Sequence, residues 1–195
     1  MKNAIASAGL LILIFICSCR SKPKTPAASF ISVVSLIRSE VADIDTSLYP
    51  IVKVVTRDSL HTDTSYIPRE AFAREARDFL DIPDLADPKV AARYREEAPV
   101  YDQSIGRVIF RYLPLQPEQE EIKSQELLAT PVPGQDARIN NIIIVREISN
   151  RDSFLQKKLL WQVKRSFQIV TTTQKPGQPE VTTVTRVTWN DPSNQ

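Results

Sequence analysis

The chain has 195 residues, with 25 Lys and Arg against 23 Asp and Glu. A net charge of +2 gives no electrostatic case for nucleic acid or an acidic substrate as partner, and 42% hydrophobic with 25% charged residues is the balance of a chain that buries a core. Two cysteines, both within the first nineteen residues, exclude a disulfide framework for the body, while fourteen prolines against four glycines point to many stiff element boundaries and few left-handed turns.

In chain order, Lys2 precedes an uncharged, mostly apolar stretch from Ala4 to Ile16, which closes on Ile16-Cys17-Ser18-Cys19. Arg20 ends the run short of the ~20 apolar residues that a spanning helix needs, so the layout is that of a secretory signal. Ile16, Cys17, Ser18 and Cys19 resemble the lipobox of bacterial lipoproteins, with Ile16 in place of the usual leucine and Cys17 in place of a small apolar residue. That resemblance implies cleavage after residue 18 and acyl chains on Cys19, with the membrane as partner through those chains. Each buried methylene contributes about 0.8 kcal/mol, so two or more chains give durable attachment. Residues 19–28 then form the lipidated N-terminus and a tether. Its polar part, Arg20 to Ala28, reaches at most ~30 Å and carries Arg20, Lys22 and Lys24 toward anionic headgroups. By similarity to Gram-negative lipoproteins, the absence of an acidic run and of Asp beside Cys19 implies an outer-membrane protein facing the periplasm.

From Ser29 to Ser47, Phe30, Val33, Val34, Ile37, Val41, Ile44 and, just beyond, Leu48 recur at helical spacing opposite Ser32, Ser35, Arg38, Ser39, Glu40 and Asp43. This predicts an amphipathic helix with Ser29 as N-cap. Ile51 to Arg57 is β-branched and reads as a strand, and Asp58 to Ser65 as a polar turn. Pro68 opens a second helix with Phe72, Ala76, Phe79 and Leu80 on one face, and Asp87-Pro88 caps a short third one that ends before Pro99.

The period then changes to two. Ile105–Leu113, Gln119–Thr130 and Arg138–Ile148 read as strands, and Phe154–Thr173 as one long strand in which Leu155, Leu159, Trp161, Val163, Phe167 and Ile169 alternate with polar residues. Lys175–Pro179 turns the chain into a last strand, Glu180–Trp189. Helices followed by antiparallel strands predict a single α+β domain over residues 29–191, with a tail at 192–195. In it the N-terminal amphipathic helix and two further helices pack on one face of a curved antiparallel sheet of about five to six strands. The layout resembles the cystatin-like and NTF2-like folds.

Catalytic chemistry finds little support. His61, the only histidine, sits with Asp58, Ser59 and Asp63 in a turn-like stretch, a poor ligand set for zinc, and no cofactor or metal is expected. There is no Gly-x-Ser-x-Gly elbow and no glycine-rich phosphate loop, and Asp43 with Asp45 or Glu120 with Glu121 fall in exposed-looking segments. Lys157 and Arg165 lie on the apolar face of the long strand, where a cation must be paired, turned outward or aimed into a cavity. Arg165 with Trp161 and Phe167 is therefore the candidate pocket. Three roles remain open: a non-catalytic, lipid-anchored periplasmic protein that binds an envelope protein or acts as a scaffold, with no role for nucleic acid; a small-ligand carrier with a pocket between the sheet and the N-terminal helix; and an NTF2-like enzyme.

Overall fold

The computed structural model describes residues 30–57, 61–150 and 152–191. The signal segment, Cys19, the Ser29 cap, Asp58, Ser59 and the tail lie outside the described residues. One sheet organises everything else. Its strands are β1 (Ile51–Arg57), β2 (His61–Ile67), β3 (Tyr94–Glu96), β4 (Val100–Asp102), β5 (Arg107–Pro114), β6 (Ile122–Thr130), β7 (Arg138–Ser149), β8 (Phe154–Gln162), β9 (Ser166–Gln174) and β10 (Val181–Thr188). They run in the order β2-β1-β10-β9-β8-β7-β6-β5-β3, with β4 also on β5, and every pairing is antiparallel.

The expected α+β layout with five or six strands is therefore overturned: the sheet has ten strands, and the helices are short. Four strands account for the difference. β2 is polar and exposed at six of seven positions, so no hydrophobic alternation announces it. β3 and β4 have three residues each, too few to show a period. The fourth comes from Phe154–Thr173, which is two strands joined by a turn at residues 163–165, where Lys164 has a φ of 60°. Trp161 pairs with Phe167 and Leu159 with Ile169, so the odd-numbered residues face the same side on both arms. Period two passes through the turn without a change of phase, which is why the sequence reads as one strand.

Four short helices accompany the sheet among the described residues. α1 (Val33–Ala42) begins at Ser32, whose Oγ accepts the N–H of Ser35 at 3.1 Å and donates to Asp84 at 2.6 Å. It buries Val33, Val34 and Ile37, and a 3-10 turn over Asp43–Thr46 adds Ile44. The second expected helix is broken into α2 (Phe72–Glu75) and α3 (Arg77–Leu80), joined at the fully buried Ala76. α4 (Pro88–Ala91) is capped by Asp87, which accepts the N–H of Lys89 at 2.8 Å, with Pro88 in the first turn.

Beneath α2 and α3, Phe72, Phe79, Trp161, Phe167 and Trp189 form an aromatic cluster whose ring centroids lie 4.9–6.4 Å apart. Two ion pairs flank it: Lys53 to Glu75 at 2.7 Å ties β1 to α2, and Lys157 to Asp78 at 2.6 Å ties β8 to α3. Lys157 thus faces inward as the alternation requires, and a helix carboxylate pairs it. At the other end of the covered face, Phe30 packs on Tyr112 of β5 with centroids 4.9 Å apart.

Candidate functional site

The three pocket residues read from the sequence separate in space. Trp161 and Phe167 stack at 5.3 Å in the core and are 0% and 1% exposed, whereas Arg165 sits in the exposed β8–β9 turn. That turn is fixed from both sides. The Glu40 carboxylate of α1 accepts the Lys164 N–H, and the Arg165 carbonyl accepts the N–H of Trp189 at 2.9 Å. His61 lies at the start of β2, opposite Arg57, and among the described residues no group of three His, Cys, Asp or Glu is placed to hold a metal ion. No described helix is long and apolar enough to cross a membrane.

What the fold does present is a contrast between its two edges. At one end β3 and β4 are three-residue strands, interrupted by Pro99 and carrying Arg95 and Glu96. Short length, proline and charge are the usual devices that stop another strand from adding to a sheet. β2 at the other end has neither the short length nor a proline, and its charge is limited to one carboxylate, Asp63. It is seven residues long, lacks Lys, Arg, Pro and Gly, and has no strand beyond it among the described residues. One side of its backbone therefore offers N–H and C=O groups for pairing.

The end of this edge is apolar. Tyr66 is 74% exposed and Leu48, on the loop before β1, is 88% exposed. Leu48, Tyr49, Tyr66, Ile67 and Pro68 line a groove of about 400 Å³. Arg69 fixes the loop by donating from Nη2 to the Ser47 carbonyl at 2.7 Å. The arrangement can accept an extended segment that pairs with β2 and places a hydrophobic side chain against Leu48 and Tyr66. Sequence reasoning took this stretch for a turn. The signal that could have found it is the period-two run Thr62, Thr64, Tyr66, in which β-branched and aromatic residues share one face.

A second cluster lies near the blunted edge. Glu120, only 9% exposed, accepts from Arg93 Nη1 with both oxygens, at 2.6 and 2.8 Å, and from the Tyr94 hydroxyl at 3.2 Å. Its neighbour Glu121 points elsewhere and pairs with Arg146 at 2.7 Å. Burial, and then the Glu120 charge that its hydroxyl bonds, push the Tyr94 phenol well above its ordinary range. Burial also raises Tyr112, helped by Glu96.

A phenol whose folded-state pKa lies above its unfolded one adds stability that is complete below about pH 10, and this is lost as pH rises through the folded value. Thermal melts from pH 8 to pH 12 should therefore show a steep alkaline fall in the native protein. Tyr94→Phe should flatten it, leaving the part due to Tyr112. An unchanged alkaline slope in the variant would refute this assignment.

Comparison with protein-family models, curated proteins and solved structures returns no match for the chain.

Proposed function

We propose that the chain is a lipid-anchored, non-catalytic component of the bacterial cell envelope that binds a protein partner by strand addition at β2. The observation that carries the reading is the asymmetry of the sheet: one edge is blunted by short strands, proline and charge, and the other is left open over seven residues. An open edge of this length, with Asp63 as its one carboxylate, favours aggregation unless it has a use, so its retention beside a guarded one supports a docking role.

The lipobox-like run ending at Cys19 supplies the anchor in this reading, with the protein on the periplasmic side of the outer membrane. The described chain starts at Phe30 against β5, and β2 lies seven strand positions from β5. At ~4.8 Å per strand this is about 34 Å across the sheet, so β2 lies far from the strand on which the described N-terminus packs.

Two measurements test the reading. Mass spectrometry of membrane fractions should find a mature N-terminus at Cys19 with acyl mass, and Cys19→Ala should move the protein into the soluble fraction. A photo-crosslinking residue at Thr62 should trap a discrete protein adduct in intact cells, and the same residue at Arg95 should not. Equal adducts at both positions, or none at Thr62, would remove the docking role.

A further inference from the structure

We propose that the cleft beside Arg93 and Glu120 binds the carboxylate of a small organic acid or of a peptide end, recognised by the free side of the Arg93 guanidinium. The cleft has a volume of about 270 Å³ and is lined by Ala92, Arg93, Leu115, Gln116, Gln119 and Glu120. This is just under the ~300 Å³ at which drug-sized pockets begin, so it suits a ligand of a few heavy atoms or the last residue of a chain.

The geometry of the ion pair points to the ligand class. An arginine and a carboxylate normally meet through two parallel N–H···O bonds. Here Arg93 meets both oxygens of Glu120 with Nη1 alone, at 2.6 and 2.8 Å, which leaves Nε and Nη2 without a partner among the described residues. The Arg93 side chain is 48% exposed and that of Glu120 is 9% exposed, so the buried carboxylate orients the guanidinium while the rest of the fork stays open to a ligand. The side-chain amides of Gln116 and Gln119 also have no partner among the described residues and can donate to a ligand oxygen. Leu115, 56% exposed, and Ala92 give the cleft an apolar wall for a short aliphatic substituent.

Charge sets the preference between anions. Arg93 and Glu120 together are neutral, and Glu118 adds a negative charge in the 3-10 turn over Pro117–Gln119. A monoanion held by hydrogen bonds suits such a site, whereas a doubly charged phosphate brings a second charge beside the Glu120 carboxylate with no cation other than Arg93 in the cleft lining. Glu120 is thus a positioning residue and Arg93 the binding one.

The test is an NMR titration of the full-length protein, following the Arg93 Nε–H resonance. The probes are N-acetylalanine, N-acetylalaninamide, acetyl-alanyl-alanine and inorganic phosphate. Both carboxylic acids should shift the resonance saturably, while the amide leaves it in place and phosphate binds ~10-fold more weakly or worse. Tighter binding of the dipeptide would identify a peptide end, and equal binding a free acid. Arg93→Lys, which keeps the charge and loses the fork, should weaken the acids by ~10-fold. Gln119→Ala changes an exposed side chain and so tests the cleft without risk to folding; it should weaken them by ~3-fold. The proposal fails if the amide binds as well as the acid, if phosphate binds more tightly, or if saturating acid leaves Arg93 unmoved.

Discussion

Trp161→Ala should lower the free energy of unfolding by about 3–5 kcal/mol, while Trp161→Phe should cost less than about 1.5 kcal/mol. The indole is 0% exposed and meets the rings of Phe72, Phe79, Phe167 and Trp189. Truncation to alanine opens a cavity between β8 and the short helices α2 and α3, which have little backbone of their own with which to close it. Phenylalanine keeps most of the ring contact. It also removes the indole Nε1–H, which is buried with no hydrogen-bond partner and carries a desolvation cost in the native protein. Domains of this size are stable by about 5–15 kcal/mol, so the alanine variant should lose about a fifth of its margin or more. Urea unfolding at constant slope measures both changes, and a phenylalanine variant as unstable as the alanine one would contradict the assignment.

The second large effect concerns β2. In an antiparallel pair, successive N–H groups point alternately toward the partner strand and away from it. Of the adjacent substitutions Thr64→Pro and Ser65→Pro, one therefore removes a bond to β1 and the other removes only an outward donor. The first should cost about 1–3 kcal/mol, and the second should leave the melting temperature within a few degrees of the native value. The stable variant of the two should nonetheless lose nearly all of the adduct captured through Thr62. Chemical denaturation identifies which variant is which, and crosslinking in cells supplies the binding result. Full capture by the stable proline variant would show that the partner does not pair with this edge.

Legibility in the sequence followed burial. β5, β7 and β10 were readable because one face of each strand alternates toward the core, and α1 because Val33, Val34 and Ile37 form a stripe. The helix starts one turn later than the sequence predicts, with Ser32 as its cap: the Ser32 hydroxyl accepts the N–H of Ser35. β2 escaped notice for the same reason that it matters as an interface. A strand exposed on both faces has no hydrophobic period, and its identity comes from pairing with β1. The turn at Lys164 lacks glycine, proline and asparagine, and is set by Glu40 and Trp189, residues far away in sequence. The Arg93–Glu120 pair spans 27 residues and could not be read from spacing, although Glu120 itself stood out beside Glu121.

The pairing of β1 with β10 has a consequence for how the molecule is made. β5 through β10 form a meander of neighbours, so those strands can zip together in order as the chain appears. β1 is different: its partner lies more than a hundred residues downstream, with Val52 opposite Thr188. Until the final strand has been delivered, the β1–β2 hairpin has nowhere to dock. Completion of the sheet therefore awaits β10, and the exposed edge strand β2 is the element whose docking depends on it at one remove.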